Sequence, residues 1–280
     1  MGDESSVPCG LPGLAVALVP AYNPSPALVG LVEELTALGF EVVVVDDGSS
    51  PPASEVFSAV EAVALVLRHP DNRGKGEALR TGMGWIFRHY PPETMVVTVD
   101  ADGQHRPHDA VGVCLAGFSR TGPASEGLVL GVRFDDDGTP VRSRVGHLVS
   151  RLAFRLATGR RLVDTQTGLR AFRAGMVPRL VRIPGQRYEY EMNQLLAVAG
   201  QRIPFIQVPI ETVYDRNNVS HYRGLLDSFL VGRAFLSYAV GGRFLRRSAP
   251  GGHGRSPTSQ SIPSAAFGTV HDVEGGADGR

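Results

Sequence analysis

Four apolar runs constrain this chain most: LAVALV (14–19), EVVVVD (41–46), AVALVL (62–67) and MVVTVD (95–100). Each is short and almost continuously apolar, the pattern of a parallel strand covered on both faces. Helical spacing separates them. Residues 26–38 carry Leu28, Leu31, Val32 and Leu35, residues 53–62 suit a short helix, and 76–89 a longer one. Such β-α-β-α alternation predicts a doubly wound α/β domain. With 280 residues, of which 42% are hydrophobic, the chain can build one large core of that kind.

Ligands of these folds gather beyond the carboxyl ends of the strands. PAYN (20–23), DDGSS (46–50) and DADGQH (100–105) all fall there. In the last, Asp100, Asp102 and Gln104 alternate, so three oxygen-bearing side chains of an extended chain point one way. That set suits one hard cation, Mg²⁺ or Mn²⁺, sharing its coordination with substrate phosphates. A solvated Asp-Gly turn is the plainer alternative.

In DDGSS, one carboxylate can accept from ribose hydroxyls, while Asp47, Ser49 or Ser50 can equally cap a turn or helix. Tyr22 of PAYN could lie against a base, or the segment could be an ordinary Pro/Asn turn. HPDNRGKGEALRTG (69–82) sets Lys75 at a helix start, facing either an anion or solvent. Its spacing is neither a dinucleotide fingerprint nor a P-loop, which argues against a dehydrogenase. A nucleotidyltransferase would need a Gly-rich triphosphate loop after the first strand, and PAYNPS is not one.

The second half is less regular. Arg133 follows a strand, LVLGV (128–132), and residues 142–158 have helical spacing at Val145, Leu148, Val149, Leu152 and Leu156. Arg142, Arg144, Arg151 and Arg155 share that helix, and guanidinium groups suit phosphate. DTQTGLRAF (164–172) puts polar groups before a short apolar segment. YEYEMN (188–193) opens another helix with Glu189 and Glu191 on different faces, so at most one should meet a cleft. IPFIQVPI (203–210) is a last strand. Residues 222–245 have partly amphipathic helical spacing, and the Gly-, Ser- and Pro-rich sequence from Ser248 onward has the composition of a disordered tail.

Lysine plus arginine and aspartate plus glutamate both total 28, which gives nucleic acid no general attraction. Cys9 and Cys114 lack metal or redox spacing and fit a reducing, cytoplasmic setting. The start, MGDESSVPCG, has no signal-peptide pattern and matches a myristoylation pattern only loosely, through Gly2 and Ser6. No run approaches the roughly 18 apolar residues of a membrane span.

Taken together and in order, PAYN, DDGS, NRGKGEAL, DADGQH, GVR, RSRVGHLVSRL, DTQTGLR and DRNNVSH resemble the family 2 glycosyltransferases of the GT-A fold. The likeness is nearest to the polyprenol-phosphate (dolichol-phosphate) mannosyl- and glucosyltransferases. It runs from about Leu14 to about Arg223. It implies a mixed, mostly parallel sheet flanked by helices over residues 13–222, after an N-terminal extension (1–12). An amphipathic helix (223–247) and the tail (248–280) would follow.

By position, Pro20 and Tyr22 would hold the base and Asp47 the base or ribose. Asp100 and Ala101 would line the donor, with Lys75 nearby, and Asp102 and Gln104 would ligate the metal. Arg133 and Arg144 would take an acceptor phosphate, and Arg216 would close over the diphosphate. A hydroxyl acceptor would need a base, for which Glu191 is the candidate with Glu189 behind it. The chain departs from the family pattern at Pro24, where an acidic residue is frequent, and at His221, where a lysine is frequent. The transmembrane helices of some relatives are also missing. The expected activity is inverting transfer of a hexose from a nucleotide-diphosphate sugar to a polyprenyl phosphate, at the inner face of a membrane. A soluble hydroxyl acceptor, or sugar-nucleotide binding without turnover, are the alternatives.

Overall fold

The computed structural model describes residues 11–103, 105–119, 126–134 and 141–211, with backbone alone at 141–145. The elements run β1 (Ala15–Ala21), α1 (Ala27–Ala37), β2 (Glu41–Asp46), α2 (Ser54–Glu61), β3 (Leu65–Arg68), α3 (Lys75–His89), β4 (Met95–Thr98), α4 (Pro107–Phe118), β5 (Leu128–Val132), α5 (Val141–Thr158), β6 (Arg170–Arg173), α6 (Val177–Leu180), α7 (Glu189–Gly200) and β7 (Phe205–Pro209). The strands form one sheet in the order β3-β2-β1-β4-β6-β5-β7. All pairings are parallel except the two made by β6, which runs antiparallel between β4 and β5. The mixed, mostly parallel sheet is the one expected.

Alternate strand residues enter two separate cores. Val16, Leu18, Val43, Val45 and Val96 pack under α3, α6 and α7, with Phe154 of α5. Ala15, Ala17, Val19, Val42, Val44 and Val97 pack under α1, α2 and α4. Both faces are therefore covered, which is why the strands read as unbroken apolar runs. Each fully buried valine or leucine contributes about 1.5–3 kcal/mol.

Two details depart from the sequence reading. β3 starts at Leu65 rather than residue 62, because Ala62–Ala64 complete the turn out of α2. Helix α4 was not among the expected elements, although Pro107 in its first turn is a helix-start signal. It buries Ala110, Val111, Val113 and Cys114.

Helix α5 forms where expected, but its apolar stripe does not face the core. Phe154 and Ser150 are buried, whereas Leu148, Val149, Leu152 and Leu156 are 59%, 61%, 52% and 78% exposed. An amphipathic helix ordinarily turns such a stripe inward. The expected 223–247 helix, the tail and residues 1–10 lie outside the described residues.

Candidate active site

Parallel pairing brings the ends of β1, β2 and β4 to one edge of the sheet. There the loops after β1 and β2 are tied together. Asn23 Oδ1 accepts from the backbone N–H and the hydroxyl of Ser50, both at 2.8 Å, and the Asn23 N–H donates to Ser49 Oγ at 2.8 Å. Pro20 is half-buried at the end of β1, and Tyr22 is exposed at the rim. Both can border a ligand at this edge.

Asp47 serves its own chain. It is 3% exposed, and it accepts from the Gly74 N–H at 2.7 Å, the Arg73 N–H at 3.0 Å and His69 Nδ1 at 2.7 Å. His69 Nε2 in turn meets Thr81 Oγ1 at 2.9 Å. This differs from the expected contact with base or ribose. The reason is local: the N–H groups of Arg73 and of the N-cap Gly74, just before α3, have no helical acceptor and need one from elsewhere. Gly74 takes φ +98°, and a Cβ there would sit 2.6 Å from the Gln186 carbonyl, so only glycine suits this entry to α3.

The clamp places Lys75 at the first position of α3, inside the site. Lys75 Nζ lies 2.7 Å from Asp100 Oδ1 and 2.8 Å from Glu191 Oε2. Burial opposes the lysine's charge, yet Asp100 and Glu191 outweigh it and hold the ammonium well above its usual pKa. Burial likewise opposes ionisation of Asp100, yet Lys75 and His105 hold that carboxyl well below the usual range. His105 Nε2 stands 3.6 Å from Asp100 Oδ2. The lysine therefore faces carboxylates rather than solvent.

Of the paired glutamates, Glu191 enters the cluster. Glu189 is buried too, but its Oε1 accepts from the Gln186 N–H at 3.1 Å, so neither is a surface carboxylate. With Lys75 against it, Glu191 is poorly placed to take a proton as a general base.

The DTQTG segment joins this cluster to the arginine after β5. Asp164 Oδ2 accepts from Arg133 Nε at 3.2 Å. Four residues on, Gly168 lies against Asp100: a Cβ there would sit 2.3 Å from Asp100 Oδ2. Thr98 Oγ1 donates to the Gly168 carbonyl at 2.6 Å and secures the contact. Arg170 is fully buried behind it. It donates to the Thr167 carbonyl at 2.9 Å, the Glu191 carbonyl at 2.8 Å and Gln194 Oε1 at 3.0 Å. Burial pulls its pKa down, opposed by Glu191, Asp100 and Asp164.

Asp164, Gly168, Arg170, His69 and His105 were not among the expected site residues. The polar run DTQTGLR was the visible signal for the first three. Ala101 is half-buried after Asp100, and Asp102 is exposed at the mouth. Gln104, Arg216 and the Arg144 side chain lie outside the described residues.

The donor set fits a hard cation in one way. Asp100 is committed to Lys75, which leaves Asp102 as the outer carboxylate. No group of three His, Cys, Asp or Glu ligands occurs among the described residues. An ion here would take most of its ligands from substrate phosphates and water, as Mg²⁺ and Mn²⁺ do.

Comparison with known proteins identifies the family. The family model described as "Glycosyl transferase family 2" matches residues 16–180. The chain belongs to that family. It is a glycosyltransferase of the GT-A fold. An uncharacterized protein of Methanocaldococcus jannaschii is 29% identical over 224 residues, covering 76% of this chain and 87% of that protein. The UDP-N-acetylglucosamine–dolichyl-phosphate N-acetylglucosaminyltransferase of Methanococcus voltae is 24% identical over 249 residues, covering 81% and 97%. Among solved structures, the glucosyl-3-phosphoglycerate synthase of Mycobacterium tuberculosis, in complex with Mn²⁺, UDP-glucose and phosphoglyceric acid, superposes with a TM-score of 0.60. It is 20% identical and covers 81% of this glycosyltransferase and 80% of its own chain.

Proposed function

We propose that this glycosyltransferase moves a hexose, with inversion, from a nucleotide-diphosphate sugar to the phosphate of a polyprenyl lipid. One observation carries the reading. The 164–168 segment packs Gly168 on Asp100 and pairs Asp164 with Arg133, so the residue that would line the donor and the one that would take the acceptor phosphate share one support. Tyr22 and Pro20 would border the base, and the Lys75–Asp100–Glu191 cluster would form the floor under the diphosphate. Arg133 would take the acceptor phosphate, helped by Arg144 at the start of α5. Asp102 would hold Mg²⁺ or Mn²⁺ with help from Gln104, while Asp100 stays paired with Lys75. Such an ion, when bound, neutralises charge on the leaving diphosphate.

The charge pattern favours a phosphate acceptor over a hydroxyl. A phosphate oxygen is already nucleophilic at neutral pH, so the chain need only position it. A hydroxyl needs a base, yet Glu191 and Asp100 are paired to Lys75 and Asp164 to Arg133. The dolichyl-phosphate substrate in the Methanococcus voltae relative's name points the same way. The Mn²⁺ and UDP-glucose bound by the Mycobacterium tuberculosis neighbour support the cation and the donor class.

The test is a screen of UDP- and GDP-sugars with Mn²⁺ or Mg²⁺ and a short-chain polyprenyl phosphate, scoring nucleoside-diphosphate release and the anomer formed. Release that depends on the lipid phosphate, with inverted product, is expected. Donor binding without any turnover would leave a sensor instead, and turnover only with a hydroxyl acceptor would reject the phosphate.

A second expectation concerns Arg133. Arg133→Ala should raise the acceptor KM about tenfold or more, since one charged hydrogen-bond donor is lost. Donor affinity, read by calorimetry, should barely change. Loss of donor binding with normal acceptor kinetics would reverse the assignment.

A further inference from the structure

The stripe on α5 is more than half exposed, and its chemistry names a neighbour. Leu148, Val149, Leu152 and Leu156 span an arc of about 100° on the helix. Arg155 is exposed beside that arc and Arg151 lies just beyond it. Phe154 and Ser150 hold the opposite side in the core. Residues 141–163 contain six arginines and no aspartate or glutamate, although the whole chain balances 28 basic against 28 acidic residues.

We infer that α5 lies in the surface of an anionic lipid leaflet, leucines inserted and Arg155 at the headgroups. An apolar face flanked by basic residues is what an interfacial helix requires. Each basic residue near such a surface adds about fivefold in partition.

The charge also argues against other occupants. The chain's own 223–247 segment carries Arg223, Arg233, Arg243, Arg246 and Arg247 against a single acid, Asp227, so it would bring like charge to this face. A second copy docked by two-fold symmetry would set the same arginines against themselves.

The placement has a consequence for the site. Ser150 Oγ meets Thr165 Oγ1 at 2.8 Å, and Arg151 Nη1 donates to the Val163 carbonyl at 3.3 Å. The helix is thus fastened to the segment whose Asp164 holds Arg133. Phe134, next to Arg133, is 58% exposed as well. A leaflet under α5 would present lipid phosphates close to Arg133. The inference rests on the lipid-phosphate reading for that function, but its test stands apart from it.

The full chain and the variant L148Q/L152Q/L156Q are floated with vesicles of phosphatidylcholine alone or mixed with phosphatidylglycerol. The intact chain should bind the mixed vesicles, less so as salt rises. The variant should bind about tenfold more weakly. Its circular dichroism and its transfer to a short, water-soluble prenyl phosphate should match the parent's. Equal vesicle binding by the variant, or no binding by the parent at low salt, overturns the inference. So does a dimeric parent that ignores vesicles and a monomeric variant, which would assign the face to a second copy. Vesicle binding that depends on α5, without transfer to any prenyl phosphate, upholds α5 and faults the acceptor alone.

Discussion

Asp102→Asn is expected to lower transfer about 100-fold, a loss of about 2.7 kcal/mol in transition-state stabilisation. The fold should survive the change, because Asp102 is exposed at the mouth of the site and the amide keeps the carboxylate's shape. The direction of the effect on donor binding separates two mechanisms. A diphosphate brought against Asp102 with no ion between them would be repelled, so removing the carboxylate would tighten donor binding. With Mg²⁺ or Mn²⁺ between them, the same change weakens it. Calorimetric titration of the donor, with and without the ion, reads the sign directly. Tighter binding in the variant, or full turnover in excess chelator, would remove the metal from the proposal.

The second large effect is on folding. Lys75 lies between Asp100 and Glu191 at 2.7 and 2.8 Å, and all three side chains are mostly buried. Lys75→Met leaves two carboxylates without their ammonium. Breaking a buried pair this way costs about 3–5 kcal/mol. The pH dependence follows from the two shifts. Asp100 is held below its unfolded value, so its contribution is present above about pH 4 and fades as pH falls. Lys75 is held above its unfolded value, so its contribution is present below about pH 10 and fades as pH rises.

The parent should therefore be most stable in the neutral range and weaken toward acid. In Lys75→Met the unpaired Asp100 carboxylate binds a proton more readily in the folded state, so the deficit against the parent should shrink between pH 7 and pH 5. Urea unfolding followed by circular dichroism at the two values checks this. A deficit that is small at pH 7, or one that grows toward acid, would mean that the cluster does not hold the site together.

Much of this architecture was legible one segment at a time. Unbroken runs such as the four valines of EVVVVD demand cover on both faces, because successive valines leave neither face to water, and that demand alone selects a layered α/β sheet. Parallel pairing then carries PAYN, DDGSS and DADGQH to one edge, so the site's location was readable as well.

The partnerships were not legible. Lys75, Asp100 and Glu191 are distant in the chain, and nothing local distinguishes an ion-paired lysine from a solvated one. The Asp47–His69–Thr81 chain, and Asp47's service to the N–H groups just before α3, depend on how the loop after β3 folds back on the end of β2. Only the antiparallel insertion of β6 between β4 and β5 sets Gly168 on Asp100 while Asp164 reaches Arg133.

Helix α5 shows the same boundary. Spacing of Leu148, Val149, Leu152 and Leu156 determined that a helix forms and that its stripe is apolar. Which way the stripe points was decided by Phe154 and Ser150 packing on the core side. Backbone periodicity is a local property of the chain. Charge neutralisation and burial are energies between residues that only the folded sheet brings within a few ångströms.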